Sequence, residues 1–447
     1  IILSPVEESR SAIFPTPVIL NSIQDIEAIR STCTPLKIVT THLTLEYSVL
    51  NRKSTLNISP KIMPTEQALE VRSQLLAAVR DFVKREAIPQ AAEHDENDTY
   101  PTELFNQMAE MGLFGLTVPE EYGGLGVDVT TFAMVFEELA KGWMSLTGPV
   151  GSHSMLTWGI TKYGTEEQKK KWLPDLASGK KRGGLALTEP GGGTDVAGMQ
   201  TKAVKDGEEY VINGTKQFIT NGRNGDVFLL LAKTDMNTNP PHKGITGFIA
   251  EKGPGFTSGK DFNKLGYRGV DTTELIFDDY RIDAENVLGK EECKGFYQVM
   301  DSLETGRINV ASRAIGVAQA AFEAAIKYAQ QRETFGRPIS TRQSIQNMLA
   351  DMATKIHAAR LMTRDAAAKK DQGERVDEEA GMAKLYASEI CSEVTLDAMR
   401  IHGGAGYVKD SPIERYYRDA PLMIIGEGTN EIQRLIIAKN LLKRYEV

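Results

Sequence analysis

The run "MIIGEGTNEIQ" (423–433) holds one carboxylate, Glu427, between Gly426 and Gly428 at the end of the apolar stretch Met423, Ile424, Ile425. Apolar surroundings disfavour the charged form of a carboxyl group and make it a stronger base. Such a base suits the removal of a weakly acidic proton, and flanking glycines let backbone and substrate approach closely. A second stretch, "ALTEPGGGTDVAG" (186–198), puts Thr188, three glycines and Thr194 in one loop. Exposed backbone amides and two hydroxyls suit a planar heterocycle with carbonyl and N–H edges, or a thioester oxygen; glycines alone also make plain turns. A third, "QRETFGRPI" (331–339), ends a helical pattern with Arg332 and Phe335, a cation and an aromatic suited to a phosphate and an adenine. The stretch "RIHGGAGYVKDSPIERYYRD" (400–419) places glycines where a helix could simply be capped.

Other chemistries find little footing. The net charge of -8 argues against nucleic acid or an anionic membrane as the main partner. Cys33, Cys293 and Cys391 are too few and too scattered for a disulfide framework or a thiolate metal cluster. No apolar run reaches the roughly 18–20 residues of a membrane-spanning helix. None of the six histidines has a glutamate three residues before it, so the paired Glu-x-x-His ligands of a di-iron bundle are missing and no metal is expected. Neither a GxGxxG after a strand nor a Walker loop occurs. The chain reads as a soluble protein of a reducing compartment, cytoplasmic or, in a eukaryote, of the mitochondrial matrix.

Three kinds of segment must position these residues. From Thr65, Leu69, Leu75, Leu76, Val79, Phe82 and Val83 recur at helical spacing, and "ELFNQMAEMGLFGL" (103–116) is a second amphipathic helix. The period then shortens: "YVINGTKQFITNG" (210–222) alternates like a strand and carries Asn213-Gly214, which predicts a hairpin turn. Further strands are "VFLLLAK" (227–233), "ITGFIAE" (245–251) and "ELIFDD" (274–279). Helical spacing returns with Ile308, Ala311, Ile315, Ala318, Phe322 and Ala325, and persists in two more segments and a last helix from about Glu431. The expected fold class is α+β: a helical domain over 63–182, a small β domain over 183–290 and a four-helix bundle over 291–447. Residues 1–62 share neither period and are expected to be a leader or extension, with Met63 reading like a natural start.

Taken in register, the motifs resemble those of the acyl-CoA dehydrogenase family over essentially all of 65–447. "ALTEPGGGTD" is similar to its flavin loop and "FITNG" (218–222) to the usual companion, while "RETFGRPI", "HGGAGY" and "EGTNEIQR" follow in the family's order. The resemblance implies bound FAD. Leu187, Thr188, Gly193 and Thr194 match loop positions at the flavin edge, and Phe218 and Thr220 match residues packing on its other face. Arg332, Thr334 and Phe335 match positions that reach the FAD of a neighbouring subunit. Arg400, Gly403 and Gly404 match the loop passing its pyrophosphate and adenosine side, and Thr429 and Glu431 match further FAD contacts. Thr194, Glu304, Arg307, Gly426 and Gly428 match positions around the acyl-CoA. Glu427 matches the base that removes the α-proton, while flavin N5 accepts the β-hydride and a trans-2-enoyl-CoA is left. A homotetramer and a transient complex with an electron-transfer flavoprotein follow from the same resemblance.

The sequence departs from the family at three places. Gly426 stands where straight-chain enzymes often have a bulky aromatic, implying room for a short, branched or cyclic acyl group. Gly306 occupies the alternative base position, which favours Glu427, and Glu304 matches a position not used as the base. Arg400 replaces the usual Gln, Asp or Glu. An oxygen-using oxidase of the same fold and a non-catalytic FAD- or acyl-CoA-binding relative are the competing readings.

Overall fold

The computed structural model describes residues 65–446, all within one compact unit, Pro60–Val447. The expected extension over 1–62 lies outside the described residues. Six helices come first: α1 (Glu66–Phe82), α2 (Ile88–Asn97), α3 (Thr102–Glu110), α4 (Val129–Gly142), α5 (Thr147–Tyr163) and α6 (Glu166–Ala177). Their starts are written in short polar side chains. Thr65 accepts from Ala68 N–H at the head of α1, Asp128 accepts from Thr131 N–H at 2.7 Å at the head of α4, and Thr165 forms a capping box with Gln168 at the head of α6. Helix α5 is buried nearly all round because it packs against the sheet on one side and the bundle on the other.

Strands β1 (Gly183–Ala186), β2 (Lys202–Asp206), β3 (Glu209–Thr220), β4 (Val227–Lys233), β5 (Ile245–Glu251), β6 (Phe256–Asp261) and β7 (Thr272–Asp283) form one sheet. Its order is β1-β4-β2-β3-β7-β6, with β5 paired to β4 and β1 parallel to β4. The unbroken apolar run of β4 is explained by burial on both faces. Val227, Leu229 and Leu231 join a core shared with α5 and α6, while Phe228, Leu230 and Ala232 fill the core on the other side of the sheet.

The predicted hairpin at Asn213-Gly214 is absent. Strand β3 runs straight through, and the register against β7 slips there, making a bulge. A Cβ at Gly214 would meet Thr201 Oγ1 at 2.5 Å, so glycine serves close backbone approach. Asn213 instead exchanges two hydrogen bonds with Asp279, Nδ2 to Oδ1 at 3.0 Å and Asp279 N–H to Oδ1 at 2.9 Å. The turn lies earlier, at Gly207 between β2 and β3.

The remaining chain is helical: α7 (Gly295–Gln331), α8 (Gln343–Asp371), α9 (Asp377–His402), α10 (Ile413–Ile425) and α11 (Asn430–Arg444), with a small hairpin, β8 (Glu333–Thr334) and β9 (Arg337–Pro338), after α7. The order expected from periodicity, helices then strands then a helical bundle, holds. Helix α10 was not anticipated; its 13 residues, Pro421 among them, follow a glycine-rich stretch that masks its period. The 37 residues of α7 form the spine of the bundle and pack against α4, α8 and α9. Gly316 lets α7 and α4 touch: a Cβ there would overlap the Glu137 carbonyl and come within 2.8 Å of Ala140 Cβ. Gly316→Ala is therefore expected to cost about 1–3 kcal/mol of stability, read as a lower denaturation midpoint with the circular dichroism of the folded state retained.

Candidate active site

Glu427 lies in the four-residue turn between α10 and α11. It adopts φ +56°, a left-handed conformation that side-chain-bearing residues rarely hold, and Gly428 follows at φ +84°. Backbone of this kind costs on the order of 1 kcal/mol and persists where its surroundings enforce it. The turn swings the carboxyl onto α7, where Gly306 leaves the space. A Cβ at Gly306 would sit 2.8 Å from Glu427 Oε2 and 3.4 Å from Met155 Sδ of α5. Among the described residues nothing donates a hydrogen bond to this carboxylate. Burial pushes its pKa above the ordinary glutamate value, and the charges of Arg313, Arg307 and Lys384, in that order, pull part of the way back. The Glu427 backbone N–H likewise has no acceptor among the described residues.

With its side chain untethered, the residue is held through its backbone. Lys384 of α9, fully buried, donates to the carbonyls of Ile424 and Gly428, each at 2.9 Å, and to Asn430 Oδ1 at 2.8 Å. These three acceptors bracket Glu427 on both sides. Gln433 adds Nε2 donations to the Gly428 carbonyl at 3.1 Å and the Glu427 carbonyl at 3.4 Å. Burial draws Lys384 down to about 8, against the pull of Glu427. Thr429 caps α11 by accepting from Ile432 N–H at 3.4 Å, and Glu431 sits in its first turn.

The loop after β1 is anchored by a second buried lysine. Lys216 of β3 donates to Glu189 Oε1 at 2.8 Å and to the Leu187 carbonyl at 3.2 Å. Burial raises Glu189, but Lys216, Thr201 and the Gln200 N–H outweigh it and hold the carboxyl below its usual range. The Gln217 N–H donates to the Thr188 carbonyl at 2.8 Å, fixing that side of the loop. The outer side stays open: nothing lies within 4 Å of a Cβ at Gly191, and at Gly193 only Thr188 Cγ2, at 3.6 Å. Leu187, Thr188 and Thr220 are partly exposed, and Gly193 and Thr194 are exposed. Phe218, at φ +58°, leaves 57% of its surface uncovered beside Phe262. A shelf of bare backbone with an exposed ring and hydroxyls fits the flat, polar-edged ring expected there. Tyr267 links it to the turn, since its hydroxyl lies by Thr220 and feels the charges of Arg313 and Glu427.

Arg307 is buried on α7 with Nε and Nη1 lacking partners. Glu304 is buried too, but Lys370 already binds it at 2.7 Å. Gly426 is open, with the Leu422 carbonyl at 3.4 Å the one near neighbour of a Cβ there. The remaining predicted positions lie elsewhere. Arg332, Thr334 and Phe335 occupy the β8–β9 hairpin, about 37 Å along α7 from Gly306. Arg400 is exposed and paired with Asp397 at 2.7 Å, and Gly403 and Gly404 are bare at the end of α9, roughly 24 Å along that helix from Lys384. Lys384, Lys216, Glu189 and Arg313 were not foreseen: each acts across a gap of many residues, and no local spacing signals it.

Three family models together span most of the chain: the acyl-CoA dehydrogenase N-terminal domain matches residues 70–180, the middle domain 184–280 and the C-terminal domain 293–442. The mitochondrial short-chain specific acyl-CoA dehydrogenase of Bos taurus is 44% identical over 379 residues, 84% of this chain and 91% of that protein. Among solved structures, butyryl-CoA dehydrogenase from Megasphaera elsdenii aligns with TM-score 0.80 and 40% identity over 85% of this chain and 99% of its own. A chain from work on the electron transferring flavoprotein of Acidaminococcus fermentans aligns with TM-score 0.80 and 41% identity, over 86% and 99%. The chain thus belongs to the acyl-CoA dehydrogenases, FAD-dependent oxidoreductases that act on CH–CH bonds.

Proposed function

We propose that the chain dehydrogenates a short acyl-CoA thioester to its trans-2-enoyl-CoA, with Glu427 as the catalytic base. The observation that carries this reading is that one residue offers both an unpaired carboxylate and an unpaired backbone N–H. The carboxylate takes the α-proton, and the N–H is free to donate to the thioester oxygen as negative charge develops there. FAD, when bound, supplies the acceptor for the β-hydride. Leu187, Thr188, Gly193, Thr194, Phe218 and Thr220 hold its ring, and Thr429 and Glu431 offer contacts at the head of α11. Arg307, with unpaired N–H groups on the same helix as Gly306, orients the thioester. Burial serves the chemistry directly, because removing water from the carboxylate makes it more basic. The open space at Gly426 and the short-chain and butyryl-CoA relatives support a short acyl group with room for branching. Electrons then pass to an electron-transfer flavoprotein, in line with the similarity to a chain from work on such a protein.

We also infer a homotetramer. Phe335 is 96% exposed on a hairpin too distant to serve its own Glu427, and Arg332 and Thr334 share that hairpin. A neighbouring subunit's cofactor gives all three a role. The FAD-loaded chain should sediment at about four times its 49.2 kDa mass, and Phe335→Ala should retain less FAD.

Glu427→Gln keeps the shape and removes the base. Anaerobic bleaching of the flavin by butyryl-CoA should slow by roughly 10²–10⁴-fold while FAD stays bound; bleaching at the wild-type rate would reject Glu427 as the base. Since the ionised form is the active one, kcat/KM should fall as pH drops through the raised pKa of Glu427, placing the acid limb above 4.5. Lys384→Met removes the donor that three acceptors share and loosens the turn. It should lower kcat by up to about 10²-fold, more than it raises KM, and speed amide exchange at Glu427 and Gly428.

A further inference from the structure

A third cation near Glu427 has no task in the reaction described above. Arg313 lies on α7 seven residues after Gly306, and Gly306, Asn309 and Arg313 share one face of the helix. The axial separation is about 10.5 Å, and helical side chains lean toward the N-terminus, here toward Glu427. Arg313 Nε donates to Asn309 Oδ1 at 2.9 Å. Among the described residues no carboxylate comes within ion-pair distance of its guanidinium, although the side chain is only partly exposed. Space is cleared for the pair on the facing helix α5, where a Cβ at Gly151 would meet Asn309 Nδ2 at 2.6 Å and Arg313 Nη2 at 3.2 Å. One turn along α5, Met155 and the Glu427 carboxyl border the same space at Gly306, and at Gly148 the missing side chain makes way for the Tyr267 hydroxyl. The same two helices therefore border the base and, about two turns along α7, carry a guanidinium with most of its five N–H groups unspent.

Such a cation works against the base. Arg313 is the charge that most lowers Glu427, whereas removal of an α-proton needs a strong base. The conflict disappears if the substrate brings its own anion to the guanidinium, because neutralising Arg313 on binding restores the basicity of Glu427 at the moment it is needed.

We propose that Arg313, held by Asn309, recognises a carboxylate on the acyl group, so that the substrate is a short dicarboxylic acid bound to CoA through one end. This rests on the dehydrogenase reading and narrows its substrate class. The Tyr267 hydroxyl feels the charge of Arg313, and the space at Gly426 leaves room for the acyl chain.

The test compares glutaryl-CoA with the thioester of monomethyl glutarate, which has the same backbone without the charge, on the full-length FAD-loaded chain. Wild-type kcat/KM should favour glutaryl-CoA by about 10²-fold or more. Arg313→Gln should shrink that preference to within about threefold, and Arg313→Lys should restore part of it. Calorimetric Kd values for the corresponding non-reactive thioethers should follow the same order. A wild-type enzyme that prefers the neutral ester overturns the inference even if the variant does not fold. So does an Arg313→Gln enzyme that loses equally on both substrates, the behaviour of a residue that merely holds Glu427 ionised. If neither thioester nor any neutral acyl-CoA reduces the flavin, the dehydrogenase reading itself falls.

Discussion

Keeping a carboxylate in place without hydrogen-bonding it is the constraint around which this site is built. Any donor aimed at Glu427 would steady it, but would also stabilise its charge and weaken it as a base. The structure resolves this by fixing the main chain instead. Lys384 and Gln433 bind carbonyls on either side of the residue, the left-handed φ turns the side chain inward, and Gly306 provides the hollow that receives it. The carboxylate is confined by shape while its lone pairs stay free.

The loop after β1 follows the same logic. A fully buried lysine from a distant element, Lys216, reaches a carbonyl of the loop and a carboxylate within it. In both places an ammonium group with three N–H bonds suits the job, since it can bind several acceptors that converge from different directions. Burying such a group is costly unless acceptors compensate it. Each lysine therefore ties the order of its loop to the order of the core around it. Polar atoms without partners include Arg307 Nε and Nη1, and the proposed reaction gives these, with the free groups of Glu427, a use.

The sequence was most informative where a signal is local. Helical spacing gave the long bundle helices, the run at 227–233 gave β4 to the residue, and the glycine-rich motifs marked both loops. It was least informative where a residue acts at a distance. Lys384 sits inside an ordinary helical pattern 43 positions before Glu427, and its partners are mostly backbone carbonyls, which have no letter in a sequence. Asn213-Gly214 misled because the same dipeptide suits a turn and a bulge; the choice was made by Thr201 and Asp279, which lie far off in the chain. Helix α10 was hidden by its shortness and by the glycines before it. Of the predicted site residues, Thr220 and Glu427 are linked through Tyr267, while Arg332, Thr334 and Phe335 are carried away by the length of α7.

That length links the two ends of the proposed function. Helix α7 carries Gly306, Arg307, Asn309 and Arg313 on its buried early turns and ends in the exposed hairpin of Phe335. A helix packed along its whole length against α4, α8 and α9 behaves as a stiff rod. On the tetramer reading, the distance from each acyl pocket to the cofactor contact that α7 offers a neighbour is then set by the number of residues between them. Inserting or deleting one residue would turn the hairpin by about 100° around the helix axis and shift it by about 1.5 Å. Position and direction at the hairpin, relative to Gly306 beneath the carboxylate of Glu427, are thus fixed by the count of residues along α7.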